Sequence, residues 1–317
     1  MIVPAEGGGM KLYPTPENPS PPSAECQHVI TRDKIRLRAM KAVPLDVRGT
    51  VVIIGGRGDF LERYFETMED LMARGFAVAS VDLRGQGGSQ RLSDEIYRGP
   101  VRSFADFDED VRAFMEDVVL PHCPAPYFAL GHSTGGHVLL RVLRDKKWFK
   151  KAVLVAPLVD VLYGAWPRAL AAALVSTVVA CGLGGMFLPG AMKHPMGREH
   201  FTGNPLTSDE WRWNRDSGTL EAAPNLGLGG ATFSWLHAAR RSMASVARMK
   251  KSPVPILIIS SGMDHVVSND AIWRLARRVP GISLVSIPGA QHEILTENDA
   301  VRRQFLAAFD SFVTSSA

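Results

Sequence analysis

The serine at position 133 stands in a sequence context that is typical of an activated nucleophile. The segment YFALGHSTGGHVLL, residues 127–140, begins with a short apolar run, turns through GHSTG and continues with helical apolar spacing. This pattern predicts a buried strand, a sharp turn and a helix. In a G-x-S-x-G turn the serine backbone is strained, and its neighbours are glycines because side chains there would meet the strand and the helix. The hydroxyl is thereby presented to a base and to a substrate.

Two further residues are predicted to complete the chemistry. A serine hydroxyl becomes nucleophilic when a histidine takes its proton and an acid holds that histidine in the required tautomer. In the chain order Ser, Asp, His, the acid follows a strand and the histidine follows the last strand. Asp264 follows ILIISSGM and His292 follows SLVSIPGAQ. We therefore predict a triad of Ser133, His292 and Asp264 for acyl transfer, with Asp160, which also follows a strand, as the alternative acid.

Other polar residues near these positions have structural interpretations. Asp82 ends a strand, but its D-x-R-G-x-G turn is explained by hydrogen bonds from the aspartate to backbone amides. His132 and His137 flank the serine turn, and we expect them to be packed or hydrogen-bonded locally. His265 is adjacent to Asp264 and is expected to point elsewhere.

The oxyanion of a tetrahedral intermediate needs two hydrogen-bond donors. The backbone N–H of Thr134 is the first candidate, because it lies at the positive N-terminus of the predicted helix. The backbone N–H of Arg57 is the second, in the turn GGRGD that follows the strand predicted over Thr50–Ile54. A phosphate-binding loop fits this turn less well, since the G-x-G-x-x-G and G-K-[ST] spacings are missing.

Strands and helices alternate along most of the chain. Buried strands are predicted over residues 50–54, 76–81, 151–156, 255–260 and 282–287, besides the one before Ser133. Helices are predicted over residues 61–74, 103–119, 268–278 and 297–312. The alternating segment 27–43 predicts an antiparallel hairpin at a sheet edge. This order is typical of a mostly parallel, doubly wound sheet with helices on both faces, whose functional residues lie at the carboxyl ends of the strands.

The alternation stops between residues 158 and 251. We interpret residues 158–251 as a cap inserted into a core that comprises residues 27–157 and 252–317. Residues 1–26 are rich in Pro and Gly and are predicted to be a flexible lead-in. They contain no basic segment followed by an apolar core, so no signal peptide is expected.

The composition is that of an ordinary globular chain. It has 317 residues, of which 46% are hydrophobic and 21% are charged. Thirty-six Lys and Arg against 32 Asp and Glu give a net charge of +4, too small an excess to indicate nucleic acid as the main partner. Cys26, Cys123 and Cys181 match no metal-ligand spacing and favour a reducing, cytoplasmic location. We expect no metal and no cofactor.

These motifs together resemble the α/β-hydrolase superfamily, and within it the branch of lysophospholipase L2 and monoacylglycerol lipase proteins. The resemblance covers residues 27–312 and depends on GGRGDFLERY, FAVASVDLRGQGGSQR, LGHSTGG, SSGMDHVVS and GAQHEIL. RGQGGSQR and GGATFSWLHAARRSM are more similar to the lysophospholipase side. The lipase branch has His-Gly-x-Gly-Glu at the oxyanion turn, where this chain has GGRGD. The resemblance implies an α/β-hydrolase fold with a mostly parallel eight-stranded sheet and an inserted helical cap.

The resemblance also implies a metal-independent serine hydrolase. Ser133 would attack an ester carbonyl, His292 would transfer the proton and Asp264 would orient His292, while amides of Arg57 and Thr134 would bind the oxyanion. A single-chain lipid ester, first of all a lysophospholipid, is the implied substrate. Monoacylglycerol or a small ester is the alternative substrate. An acyltransferase, or a non-catalytic binding protein with an incomplete triad, is the alternative function.

The predicted cap contains two features that bear on lipid binding. The first is ALAAALVSTVVACGLGGMFLPGAM, 24 residues without a charge. Although this length nominally spans a bilayer, Gly and Pro interrupt it, and we expect a cap helix whose apolar face lines an acyl-chain pocket or packs on the core. The second is a helix on which apolar and basic residues mix: Phe233, Trp235, Leu236, Met243 and Val246 with Arg240, Arg241, Arg248, Lys250 and Lys251. It predicts either peripheral contact with anionic lipid or a helix with one buried and one solvated face.

Overall fold

The apolar, β-branched runs of the sequence form the eight strands of one sheet. A computed structural model describes residues 11–162, 167–195, 197 and 200–315. The strands are β1 Ala24–Ile30, β2 Arg36–Ala42, β3 Thr50–Ile54, β4 Ala77–Val81, β5 Tyr127–His132, β6 Phe149–Val155, β7 Ile256–Ser261 and β8 Ile282–Ile287. The bounds of β3 and β8 coincide with the predicted ones, because each of these apolar runs ends at a Gly or Pro turn.

The sheet has the order β1-β2-β4-β3-β5-β6-β7-β8. The hairpin of β1 and β2 lies at one edge of the sheet, and β2 also pairs with β4 in antiparallel orientation. All pairs among β3 to β8 are parallel. Ile54 is in register with Gly131, and His132 is in register with Val155. The carboxyl ends of β3, β5 and β6 therefore meet at one edge, as the sequence predicts for a doubly wound sheet.

Helices cover both faces of the sheet. They are α1 Phe65–Met72, α2 Ala105–Phe114, α3 Leu120–His122, α4 Thr134–Asp145, α5 Arg168–Ala180, α6 Glu210–Ala222, α7 Phe233–Val246, α8 Asn269–Arg278 and α9 Asp299–Thr314. Along β3, Val52 and Ile54 face the core that contains α2, α4, α7 and α8. Val51 and Ile53 face the core that contains α1 and α9. Successive strand residues point to opposite faces, so one continuous apolar strand serves both cores.

Two predicted helices are less regular than their apolar spacing suggests. The helix predicted over residues 61–74 begins as a 3₁₀ turn, Leu61–Tyr64, before α1. The helix predicted over residues 103–119 continues beyond α2 as a π-helical segment, Met115–Val119, and then as α3. Local spacing predicts a helix but does not distinguish these hydrogen-bond patterns.

Part of the predicted flexible lead-in is packed against the core. The backbone N–H of Tyr13 donates to Glu62 Oε1 at 2.9 Å, and Asn18 Nδ2 donates to the Glu62 carbonyl at 2.9 Å. Asn18 is buried, and β1 begins at Ala24. The prediction that residues 1–26 form a flexible lead-in is therefore wrong for residues 11–26, because buried polar partners compensate for their Pro-rich composition. Residues 1–10 lie outside the described residues.

The predicted insertion, residues 158–251, lies between β6 and β7 and contributes α5, α6 and α7. Charged contacts attach α6 to the core: Arg212 Nη2 and Arg215 Nη1 lie 2.6 and 2.5 Å from carboxylate oxygens of Glu66 in α1. α5 packs on α7 and is mostly exposed. Within the described residues, no helix has both the length and the apolar character needed to cross a membrane.

Candidate active site

Ser133 occupies the turn between β5 and α4 with φ 49° and ψ −113°. Its N–H donates to the Val155 carbonyl at 3.0 Å, and its own carbonyl accepts from Leu158 N–H at 2.9 Å and His137 N–H at 3.1 Å. These bonds hold a left-handed conformation that a non-glycine residue rarely adopts. The neighbouring glycines are required by packing, since a Cβ on Gly135 would lie 2.0 Å from the Ile54 carbonyl oxygen.

The structure brings together the three side chains that the sequence predicts as a triad. His292 Nε2 lies 3.0 Å from Ser133 Oγ, and His292 Nδ1 lies 2.8 Å from Asp264 Oδ2. Asp264 is in the turn after β7, and His292 is in the turn after β8. Asp160, the alternative acid, instead accepts the Val161 N–H with its Oδ1 at 3.0 Å. The carboxylate that contacts His292 is therefore that of Asp264.

The second oxygen of Asp264 explains its orientation. Oδ1 accepts the N–H groups of Val266 at 2.8 Å and Val267 at 2.9 Å. Burial by itself would raise the pKa of Asp264, but the hydrogen bonds from His292 and from these amides lower it below its usual value. An ionised Asp264 accepts a hydrogen bond from the Nδ1–H of His292. Nε2 of His292 is then the unprotonated nitrogen that faces the Ser133 hydroxyl.

The turn after β3 lies directly beside the serine. A Cβ on Gly56 would lie 3.2 Å from Ser133 Cβ, so only glycine fits there without displacing a neighbour. Gly56 N–H donates to Asp59 Oδ2 at 2.5 Å. Thr134 is the first residue of α4, and its N–H therefore has no acceptor within the helix. The two predicted oxyanion donors, Arg57 and Thr134, thus belong to the two backbone segments that flank Ser133.

Arg63 connects three segments around the site and was missed by the sequence analysis. Its Nη1 lies 2.6 Å from Asp59 Oδ1, its Nε lies 2.9 Å from Asp216 Oδ2 of the insertion, and its Nη2 contacts Glu293, the residue after His292. The turn after β3, the insertion and the loop after β8 therefore share one guanidinium, whose side chain is 17% exposed. The spacing of Asp59 and Arg63, four residues apart, was the only local signal, because the other two partners are distant in sequence.

His132 is buried behind the serine. Its Nδ1 lies 3.2 Å from Asp59 Oδ2 and its Nε2 lies 3.4 Å from the His292 carbonyl oxygen. Burial lowers the pKa of His132, but the contacts with Asp59 outweigh that effect and raise it overall. Both partners are acceptors, so a protonated ring donates to both of them. His132 thus links the turn after β3 to the loop that contains His292, in keeping with the packed or hydrogen-bonded role expected from the sequence.

His137 ties the insertion to α4. Its Nδ1 lies 2.6 Å from the Leu158 carbonyl oxygen, and its Nε2 lies 2.7 Å from Ser242 Oγ in α7. A neutral ring that is protonated on Nδ1 donates to Leu158 and accepts from Ser242. Burial lowers the pKa of His137 to about 4, which agrees with a neutral ring.

This buried histidine predicts a pH-dependent stability. Between pH 6.5 and about 4 the unfolded chain binds a proton that folded His137 does not, so the free energy of unfolding falls as the pH falls. From pH 7 to pH 5 the loss is expected to be about 2 kcal/mol. Urea unfolding at both pH values would measure it, with His137→Gln as the non-titrating control. An equal loss in wild type and variant would contradict the prediction, since other groups would then account for it.

Ser133 and His292 both lie below the surface, since Ser133 is 9% exposed and His292 is 4% exposed. In the described part of the chain, no three or more His, Cys, Asp or Glu side chains are grouped so that they would hold a metal ion.

Comparisons with known proteins agree with this architecture. Residues 46–299 match the family model described as serine aminopeptidase, S33. A probable lysophospholipase L2 from Haemophilus influenzae is 26% identical over 269 residues, which cover 84% of each chain. Lysophospholipase L2 from Escherichia coli is 29% identical over 283 residues, covering 83% of this chain and 79% of the relative.

Solved structures show the same fold. A soluble variant of monoglyceride lipase from Saccharomyces cerevisiae, in complex with a substrate analogue, superposes with a TM-score of 0.71 at 19% identity. The alignment covers 96% of this chain and 98% of the lipase. The structural superposition and the family match over residues 46–299 agree. The chain therefore belongs to the serine aminopeptidase, S33 family and is a serine hydrolase with the α/β-hydrolase fold.

Proposed function

We propose that the protein is a lysophospholipase that uses Ser133, His292 and Asp264 as its catalytic triad. The observation that carries this proposal is the row of hydrogen bonds from Ser133 Oγ through His292 to Asp264, at 3.0 and 2.8 Å. Two relatives named lysophospholipase L2, each aligned over more than four fifths of this chain, support the substrate class.

The reaction follows from the geometry. Ser133 Oγ attacks the carbonyl carbon of the acyl ester while its proton passes to His292 Nε2, and the backbone N–H groups of Arg57 and Thr134 stabilise the oxyanion. When the tetrahedral intermediate collapses, the glycerophosphoalcohol leaves and takes the proton from His292. Water then gives a proton to His292 and attacks the acyl-enzyme. The fatty acid is released and Ser133 regains its proton.

In this proposal, residues 158–251 act as the cap over the acyl chain. Arg63 and His137 connect the insertion to the oxyanion turn and to α4, respectively. Because Ser133 is only 9% exposed, we expect the cap to move when the ester binds. Each methylene of the acyl chain that the cap covers contributes about 0.8 kcal/mol to binding. The protein is therefore expected to prefer long acyl chains to short ones.

Initial rates on matched esters test the function. We would compare lysophosphatidylcholine, monoacylglycerol, p-nitrophenyl esters of increasing acyl length and an aminoacyl p-nitroanilide. The proposal predicts the highest kcat/KM for lysophosphatidylcholine and rates on p-nitrophenyl esters that rise with acyl length. A preference for monoacylglycerol or for acetyl esters would favour the lipase or the small-ester esterase. Cleavage of the anilide alone would indicate a peptidase.

The cap also carries a surface that fits a lipid bilayer. Ser176 Oγ in α5 lies 3.5 Å from His237 Nδ1 in α7, and a Cβ on Gly184, just after α5, would lie 3.2 Å from Ser234 Cβ at the start of α7. α5 and α7 therefore run antiparallel. Arg241, one helical turn after His237, lies on the side of α7 that faces α5 and is exposed.

The exposed side of α5 is apolar, with Leu170 61% and Leu174 50% exposed. This apolar face, bordered by Arg241, supports peripheral contact with anionic lipid. We expect the double variant Leu170→Asp, Leu174→Asp to bind phosphatidylglycerol vesicles at least tenfold more weakly, as measured by co-sedimentation. Glu221→Gln in α6 is the control and is expected to leave this affinity unchanged. Equal sedimentation of the double variant and wild type would contradict this contact.

The cytoplasmic location stays a prediction.

A further inference from the structure

Arg57 is half-buried, and its guanidinium has no acidic partner among the described residues. Its Nη1 donates to the Gly229 carbonyl at 2.8 Å, and its Nη2 donates to the Gly230 carbonyl at 2.6 Å. The guanidinium carbon lies 5.4 Å from the ring centroid of Trp235. Burial lowers the pKa of Arg57 to about 10, so the side chain still carries its charge at neutral pH. Carbonyl dipoles and an aromatic face thus surround a cation that no carboxylate neutralises.

One edge of this guanidinium is unused. The Nε atom of Arg57 is buried and has no hydrogen-bond partner within the described residues. A guanidinium presents five N–H donors, and the Nε–H together with the adjacent Nη–H forms a fork that matches two oxygens of a phosphate. A buried donor without an acceptor is costly, and a half-buried cation without a counter-ion adds to that cost. A bound oxyanion would supply both the missing hydrogen-bond acceptor and the missing counter-ion.

The backbone that carries this cation lies beside Ser133. Gly56, the residue before Arg57, packs against Ser133, where a Cβ would come within 3.2 Å of the serine Cβ. In a lysophospholipid the phosphate is joined to the scissile ester through the glycerol carbons. When the ester carbonyl is at Ser133, the phosphate must therefore lie close to the serine, at a distance set by the glycerol carbons. A monoacylglycerol places an uncharged hydroxyl in the same region.

We propose that the Arg57 guanidinium binds the phosphate of the substrate through its Nε edge and thereby selects phosphate-bearing esters over neutral ones. The carbonyls of Gly229 and Gly230 fix the guanidinium, and Trp235 covers one of its faces. This inference rests on the proposed function, because it assigns the headgroup contact of the same site. The backbone N–H of Arg57 and its side chain then serve different parts of one substrate.

The test is the ratio of kcat/KM for lysophosphatidylcholine to kcat/KM for a monoacylglycerol with the same acyl chain. In Arg57→Met this ratio is expected to fall at least about tenfold, since charge-assisted hydrogen bonds to the phosphate are lost. Arg57→Lys keeps the charge but loses the fork, and an intermediate ratio is expected. Thermal unfolding of each variant establishes whether it is folded. If Arg57→Met does not fold, Arg57→Lys still tests the proposal.

Arg91→Met is the matched control. Arg91 donates to the carbonyls of Gly85 at 2.8 Å and Gly227 at 3.0 Å, so it also attaches the insertion to the core through backbone oxygens. Burial lowers its pKa to about 10 as well. Its contacts in the core are at the turn after β4. We expect Arg91→Met to leave the substrate ratio unchanged. A fall of the ratio in both variants would assign the effect to a loosened insertion and overturn the proposal, as would equal losses on both substrates in Arg57→Met.

Inhibition of p-nitrophenyl ester hydrolysis separates this inference from the proposed function. Glycerophosphocholine and inorganic phosphate are each expected to compete with the ester in wild type and to be at least about tenfold weaker in Arg57→Met. Competition by inorganic phosphate alone would indicate a site for free phosphate instead of a headgroup. If wild type cleaves the reporter ester but no lysophospholipid, the proposed function fails and these inhibition constants still decide the Arg57 site. Absence of any Arg57-dependent competition would overturn it.

Discussion

Replacement of Ser133 by alanine is expected to lower kcat for ester hydrolysis by about 10⁴- to 10⁶-fold. Oγ is the atom that lies 3.0 Å from His292 Nε2, and alanine lacks it. Alanine keeps the Cβ, so the strained turn and its backbone hydrogen bonds are retained. Initial rates on lysophosphatidylcholine, together with thermal unfolding to verify the fold, would measure the effect. The residual rate reports on binding and oxyanion stabilisation without the nucleophile.

Labelling with a fluorophosphonate provides an independent readout of the same residue. Wild type is expected to be labelled and Ser133→Ala is not. Ser311→Ala, an exposed serine of α9, serves as the control and is expected to keep both labelling and rate. Labelling of Ser133→Ala at the wild-type rate would assign the nucleophile to another residue. An unlabelled wild type would instead favour a binding protein on this fold.

Asp264→Asn is expected to lower kcat by about 10⁴-fold with little change in fold. The asparagine oxygen can still accept the N–H groups of Val266 and Val267, because Asp264 Oδ1 already receives both at 2.8 and 2.9 Å. The amide nitrogen then faces His292 Nδ1 and donates to it. This favours the tautomer with the proton on Nε2, which cannot take a proton from Ser133. The measurement is kcat with a p-nitrophenyl ester at neutral pH.

Asp160→Asn is the matched control for this change. Asp160 also follows a strand, but its Oδ1 accepts the neighbouring Val161 N–H. We expect less than a tenfold loss in kcat for Asp160→Asn. A larger loss in Asp160→Asn than in Asp264→Asn would show that the acid of the working enzyme differs from the carboxylate that contacts His292 in the structure.

The sequence predicted the sheet and the three aligned side chains because their signals are local. Each strand is a contiguous apolar run that ends in a turn, and Ser133, Asp264 and His292 each follow such a run. Parallel strands bring their carboxyl ends to one edge, so residues 28 and 159 positions apart in sequence meet there. The order of strands and turns along the chain was therefore sufficient to predict that Ser133, His292 and Asp264 lie together.

The contacts of Arg63 and Arg57 were not predictable in this way. Arg63 joins a turn, a helix of the insertion and the loop after β8, and no periodicity relates those segments. The sequence predicts a role only for the backbone N–H of Arg57. Its side-chain partners are backbone carbonyl oxygens, which any residue provides, so no sequence pattern marks them. The insertion breaks the alternation of strands and helices, so its packing depends on tertiary contacts that local patterns do not encode.

The hydrogen bonds around Ser133 also bear on how long the protein stays active. Its N–H is bound to β6, and its carbonyl is bound both to α4 and to the chain that leaves β6. The turn therefore cannot open without separating β5 from β6 in the middle of the sheet. We therefore expect loss of the Ser133 geometry to accompany unfolding of the central sheet. On that basis we expect the working lifetime of the protein to follow its unfolding rate, and we expect substitutions that stabilise late-forming parts of the sheet to extend it.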